Sequence, residues 1–187
     1  MSMFLGPIHF WLYEKIKRQE ELTSAVSEYI VSGQDLTKKC PPLEEIIDEY
    51  NIHASLQNMI NDSEERFARL IIINGKGKEK EILSCAHKFG EENKINPNAT
   101  PESAYKAFED FFINGMPCDR INAVVRSDVN SITWKLTADI HEKYYSSLGA
   151  DDALYYKIRH EIMHAMLEET KLTLTVDGCL LYTSPSP

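Results

Sequence analysis

The chain has 187 residues, of which 43% are hydrophobic and 10% aromatic, enough to build one core and to exclude a disordered chain. Its formal net charge of −9 excludes nucleic acid as a principal partner, because binding phosphates requires a basic surface. No stretch approaches the roughly 20 apolar residues of a membrane span, so we expect a soluble protein with no membrane partner.

Cysteine usage predicts a reducing compartment. Cys40, Cys85 and Cys118 are far apart and form no C-x-x-C pair, which favours neither a disulfide framework nor a zinc ribbon. Residues 1–13 are apolar but lack a basic start and a small-residue cleavage site, so they predict a buried helix rather than a signal peptide. We therefore expect a cytoplasmic protein.

The first predicted elements are two long helices with one sequence pattern. Residues 8–21 and 52–65 both read I-H-x-x-L-x-x-x-I-x-x-x-E-E, which indicates a duplicated segment. Their apolar residues recur at helical spacing, and this periodicity predicts amphipathic helices near 7–31 and 52–73.

Shorter helices are predicted after each of the long ones. A double proline opens a short acidic helix over 43–50, and a further helix over 81–89 is predicted to stop at Gly90. After a polar linker, Thr100 starts another helix with a hydroxyl N-cap followed by proline. That helix is predicted to run to about residue 114 and to end at Gly115.

The last third changes to alternating strands and helices. Residues 121–126 and 132–136 are rich in β-forming residues around turn residues, which predicts a hairpin. Two helices follow, over 139–148 and 153–169, and residues 171–176 return as a strand.

The order of elements predicts an α+β fold: a helical bundle with a duplicated long helix, plus a small antiparallel sheet of order β-β-α-α-β. Residues 1–115 form the helical part, and residues 116–178 form a small α+β part of the same domain. Residues 179–187 are uncharged and lack strand or helix periodicity. They resemble the translated end of a transposase adapter used in DNA library preparation, so we interpret them as a non-native tail.

One motif predicts metal chemistry. His160, Glu161 and His164 form H-E-x-x-H on a predicted helix, where two imidazoles one turn apart bind zinc and the glutamate is the catalytic base. The metzincin continuation is absent, since Leu167 and Thr170 stand where glycine and histidine are required. The competing interpretation is a solvated helix face with charges at ordinary spacing.

The duplicated helices predict a second candidate site. His9 and Glu20 are eleven residues apart and share a helix face, as do His53 and Glu64. Two facing helices can bring such groups to a semi-buried site; the alternative is histidines that hydrogen-bond backbone at a packing seam. The predicted ligand-pocket residues are His9, Tyr13, His53, Cys118 and His141. No Cys/His nucleophile pair is evident from the sequence.

Three segments carry a resemblance. Gly6–Tyr13, the second Ile-His pair at Ile52 and the segment Gly115–Arg120 resemble a group of uncharacterised proteins from anaerobic bacteria, over most of residues 3–177. The resemblance implies a bacterial origin and brings no activity with it.

These observations predict a cytoplasmic protein that binds a small molecule or a partner in a pocket between its two parts. The alternative is a zinc-dependent hydrolase or peptidase fragment that uses His160, Glu161 and His164. A third possibility is a structural helix pair that forms a homodimer.

Overall fold

The computed structural model describes residues 4–30, 36–177 and 180–185 and has an α+β fold. The helices are α1 (Pro7–Ile30), α2 (Leu43–Ile46), α3 (Ile52–Arg69), α4 (Glu79–Glu92), α5 (Pro101–Phe111), α6 (Glu142–Ser146) and α7 (Ala153–Leu167). The strands are β1 (Asn122–Ser127), β2 (Ile132–Leu136), β3 (Leu172–Asp177) and β4 (Leu180–Pro185). Within the described ranges, no helix is both long and apolar enough to cross a membrane.

The two long helices form as the apolar periodicity predicts. α1 and α3 pack together, and a π-helical turn over Leu70–Asn74 extends α3 to the predicted end. Equivalent positions of the shared pattern are buried in both: Leu12 and Ile16 on α1, and Leu56 and Ile60 on α3. Burial of each apolar stripe against the other helix holds the pair together.

The prediction that a helix stops at Gly90 is wrong. α4 continues to Glu92, and Gly90 lies where α4 crosses α7. A Cβ on Gly90 would lie 2.5 Å from the backbone oxygen of Ile162 and 2.6 Å from the Cβ of Ala165. The glycine is therefore explained by the close approach of two helices, which the sequence of one helix does not show.

Side-chain caps mark the starts of α5 and α6. Thr100 and Ser103 form a capping box at the start of α5, as predicted. α5 ends earlier than predicted, at Phe111, and Gly115 follows with a φ of 71°. Asp139 Oδ1 accepts hydrogen bonds from the backbone N–H groups of His141 and Glu142 at the start of α6. Because Asp139 provides this cap, the His141 side chain points elsewhere.

The sheet has the strand order β1-β2-β4-β3, and all neighbouring strands are antiparallel. Trp134 of β2 packs on α5, with its ring 5.0 Å from that of Tyr105. Residues 180–185 lack an alternating apolar pattern, yet their backbone pairs with β2 and β3, whose facing edges both offer unpaired peptide groups. Their adapter origin stays a prediction.

Candidate functional site

The five predicted pocket residues lie in different places. His9 Nδ1 accepts a hydrogen bond from the backbone N–H of Gly6 at 2.9 Å, as the packing alternative predicts. The Tyr13 hydroxyl donates to the carbonyl of Pro41 at 2.6 Å, and burial raises its pKa to about 12. His53, Cys118 and His141 lie along the seam between α3 and residues 115–144.

Tyr13 lines a cavity of about 350 Å³ between α1, α3 and residues 38–46, which we call the helical pocket. Its floor is apolar, but its charged groups bind one another. Arg66 donates to Glu20 and also contacts Asp62, and Lys38 Nζ lies 3.0 Å from Asp62. Burial raises the pKa of a nearby thiol, that of Cys40. The internal pairing leaves this pocket few polar groups for a ligand.

A second cavity, of about 190 Å³, lies in the seam between α3 and residues 115–144. We call it the seam pocket. The polar side chains that line it come from α3 on one side and from residues 115–144 on the other: Gln57, Asn61, Glu64, Asp119, His141, Lys143 and Tyr144. Of the predicted pocket residues, His141 alone contributes to this lining.

A chain of buried hydrogen bonds runs away from the seam pocket. Glu64 Oε2 is 3.3 Å from His141 Nδ1, and His141 Nε2 is 3.2 Å from the Tyr155 hydroxyl. Arg159 donates to that hydroxyl at 3.3 Å and to Asn114 Oδ1 at 2.6 Å. All five side chains are buried.

The direction of this chain fixes the tautomer of His141. Arg159 can only donate, so Tyr155 accepts from it and has its own O–H left to donate. Burial holds the pKa of Tyr155 well above its ordinary value, so the phenol keeps its proton. The Tyr155 hydroxyl donates to His141 Nε2, and His141 Nδ1–H then donates to Glu64. The network thus places the carboxylate of Glu64 at the pocket with one of its oxygens hydrogen-bonded to His141.

The other oxygen of that carboxylate is the least satisfied group at the site. Glu64 is 1% exposed, and its Oε1 atom has no hydrogen-bond partner in the part of the chain that the structure describes. A buried carboxylate oxygen without a donor is costly, on the order of 1–3 kcal/mol. This oxygen therefore favours a ligand that brings a donor.

His53 and Cys118 meet at the exposed end of the same seam. The Cys118 thiol lies 3.9 Å from His53 Nε2, and both residues are exposed. The fold therefore brings together a cysteine and a histidine whose pairing is not evident from the sequence. The two residues are 65 apart in the chain, so only the fold brings them together.

The H-E-x-x-H residues lie on α7, as predicted. His160 is half-buried against the ring of Tyr156, and burial, Arg159 and His164 lower its pKa to about 4. His164 is exposed. Among the described residues, neither imidazole belongs to a group of three or more metal-ligating side chains. Metal binding by this pair stays a prediction.

The glutamate of the motif has a partner that the sequence did not reveal. Glu161 Oε1 lies 2.8 Å from Nδ1 of His87, and Nε2 of His87 lies 3.1 Å from Oε1 of Glu168. Glu91 completes a group on the surface where α4 meets α7. His87 and Glu91 have i, i+4 spacing, which is the one signal in the sequence, but the crossing of α4 and α7 is not visible there.

Comparisons with known proteins add no family: the chain matches no protein-family model, no curated protein and no solved structure.

Proposed function

We propose that the protein binds a small polar molecule in the seam pocket, through a donor group that hydrogen-bonds to Glu64. The observation that carries this proposal is the buried Oε1 atom of Glu64, which has no hydrogen-bond partner among the described residues and lies beside a cavity of about 190 Å³. A protonated amine is the donor that suits a carboxylate best, because a charge-assisted hydrogen bond is the stronger kind.

The surrounding groups favour the same chemistry. Asn61 Oδ1 already accepts from the Tyr144 hydroxyl at 2.7 Å, and Asp119 adds a second carboxylate to the lining. Among the lining residues, Lys143 is the only lysine or arginine, and its ammonium group lies over the ring of Tyr144. The lining therefore carries two carboxylates and one ammonium group, a balance of charge that suits a cationic ligand.

The seam pocket is favoured over the larger helical pocket because of how the carboxylates are satisfied. Glu20 of the helical pocket is bound by Arg66 and by the backbone N–H of Lys38. Glu64 has one bound oxygen and one without a partner among the described residues. Only the latter gains a hydrogen bond when a ligand enters.

The rival proposal is a zinc hydrolase built on His160, Glu161 and His164. Glu161 would have to face a metal-bound water as general base, whereas its carboxylate contacts His87. A zinc-dependent hydrolytic activity that Glu161→Gln abolishes and Glu64→Gln leaves intact would favour the rival.

The test is a ligand-observed NMR screen with small fragments of three kinds: primary amines, carboxylates and neutral polar molecules. We expect amine fragments to bind wild-type protein and to lose binding in Glu64→Gln. Glu65→Gln is the matched control, since Glu65 is the next residue on α3 and is exposed. Amine binding that survives Glu64→Gln, or no amine binding to a folded wild-type protein, contradicts the proposal.

A cytoplasmic location belongs to the same proposal. It is supported by the free thiols of Cys40, Cys85 and Cys118, which form no disulfide with one another. A homodimer is the outcome expected of a purely structural helix pair, and sedimentation velocity measures it.

A further inference from the structure

Three metal-ligating side chains converge where α4 meets α7, away from the seam pocket. They are His87 and Glu91 on α4 and Glu168 directly after α7, and one ligand atom from each lies within 4.8 Å of the others. His87 and Glu91 are one helical turn apart, so both point from the same face of α4. Two helices that pack as tightly as α4 and α7 do at Gly90 hold such ligands in fixed positions.

The two hydrogen-bonding atoms of His87 give an independent reason for a bound cation. Nδ1 faces Glu161 at 2.8 Å and Nε2 faces Glu168 at 3.1 Å. A neutral imidazole has one N–H, so only one of the two carboxylates can receive a hydrogen bond. The other carboxylate then faces a nitrogen lone pair, an arrangement that is repulsive unless the ring takes up a second proton or a metal ion binds to that nitrogen.

We infer that His87, Glu91 and Glu168 bind a divalent transition-metal ion of the zinc type, with Glu161 as a positioning residue. In this arrangement Nδ1–H of His87 donates to Glu161 and Nε2 coordinates the metal, as outer carboxylates commonly orient ligand histidines. Imidazole together with carboxylates suits zinc, whereas calcium and magnesium prefer ligands that are all oxygen.

This site differs from the zinc site that the H-E-x-x-H motif predicts. His160 and His164 are not ligands, and Glu161 is an acceptor for an imidazole rather than a base for a water molecule. The site does not depend on binding in the seam pocket.

A proton is the competing occupant. The hydrogen bond that His87 donates to Glu161 and the charges of Glu168, Glu161 and Glu91 raise the pKa of His87 above its usual value, against the effect of burial. A protonated His87 can donate to both carboxylates, and a metal ion has to displace that proton. Metal affinity should therefore increase with pH as His87 loses its proton.

The experiment is a titration of metal-free protein with Zn²⁺ against a chromogenic chelator, at about pH 7.5. We expect one Zn²⁺ per chain, with affinity reduced at least about tenfold in His87→Ala and in Glu91→Gln. Glu92→Gln is the matched control, because Glu92 is the next residue on α4 and is also exposed. Absorption spectra of the Co²⁺ form report coordination by nitrogen without reference to any activity.

The outcomes separate the alternatives. Loss of Zn²⁺ in His87→Ala and Glu91→Gln, with retention in Glu92→Gln and His160→Ala, supports the site. No stoichiometric Zn²⁺ binding by folded wild-type protein overturns it. Binding that survives His87→Ala but is lost in His160→Ala also overturns it, and assigns the metal to the H-E-x-x-H pair.

Discussion

Replacing Gly90 with alanine places a methyl group where α4 and α7 leave no room for one. The new Cβ would lie 2.5 Å from the backbone oxygen of Ile162, and ordinary contact begins at 3.4 Å, so the helices must separate by about 0.9 Å. A gap of that size forfeits roughly a quarter to a half of the dispersion energy of the contacts that it opens.

The expected magnitude follows from two opposing terms. Overpacking costs about 1–3 kcal/mol, and the upper end applies at Gly90 because the obstructing atom is backbone and cannot rotate away. Alanine gains about 1 kcal/mol over glycine in helix propensity. We therefore expect Gly90→Ala to lower the free energy of unfolding by about 2 kcal/mol.

Equilibrium urea unfolding measures this change, with Ser84→Ala and Ser84→Gly as matched controls. Ser84 is an exposed residue of α4, so the difference between its two variants gives the propensity term alone. The Cβ of Ala165 is the second obstructing atom, and Gly90→Ala should therefore cost less in an Ala165→Gly background. A Gly90→Ala protein as stable as wild type would refute the close approach of α4 and α7.

In metal-free protein, the pKa of His87 measured by NMR should lie above 6.5 and fall towards it in Glu161→Gln. Because that pKa is raised in the folded state, the stabilisation by protonated His87 is complete below about pH 6.5 and is lost as pH rises through the folded value. Arg66→Ala leaves the carboxylate of Glu20 buried without its main partner and should lower the free energy of unfolding in urea by about 3–5 kcal/mol. Replacing both residues with leucine should lower it by less than this single change. An equal or larger loss in the double variant argues against the buried pair. Iodoacetamide should modify Cys118 before Cys40 and Cys85, which are less exposed, and simultaneous modification of these three residues contradicts the exposed position.

The fold was predictable where one segment carries its own signal. The periodicity of α1 and α3 predicted both helices, and the hydroxyl N-cap with proline predicted the start of α5. The predictions were wrong where the role of a residue depends on a segment that is distant in the chain. Gly90 has the local signature of a helix end, but its reason is the backbone of Ile162 on another helix. Segment 180–185 lacks strand periodicity and pairs because of the edges beside it.

The candidate sites show the same limit. His141 was predicted as a pocket residue, and its pairing with Glu64 joins positions that are 77 residues apart. His87 is not predicted because one histidine at i, i+4 spacing from a glutamate is a weak signal, and the carboxylates that contact it come from α7 and the residue after it. The H-E-x-x-H pattern predicts a role for Glu161, but the imidazole that contacts its carboxylate belongs to His87, outside the motif.

The shared sequence pattern of α1 and α3 explains why the helical pocket and the seam pocket differ. Glu20 and Glu64 are equivalent positions of that pattern, each is buried, and each lines one of the two cavities. Arg66, two residues after Glu64 on α3, binds the carboxylate of Glu20 on α1, whereas the equivalent position on α1 is Leu22, which offers Glu64 no donor. Glu64 therefore depends on His141 from outside the pair, and one imidazole N–H satisfies only one of its two oxygens. On α1 the glutamate of the shared pattern forms an ion pair with Arg66. On α3 it has one oxygen without a hydrogen-bond partner among the described residues, so a ligand with a donor group gains most by binding to Glu64.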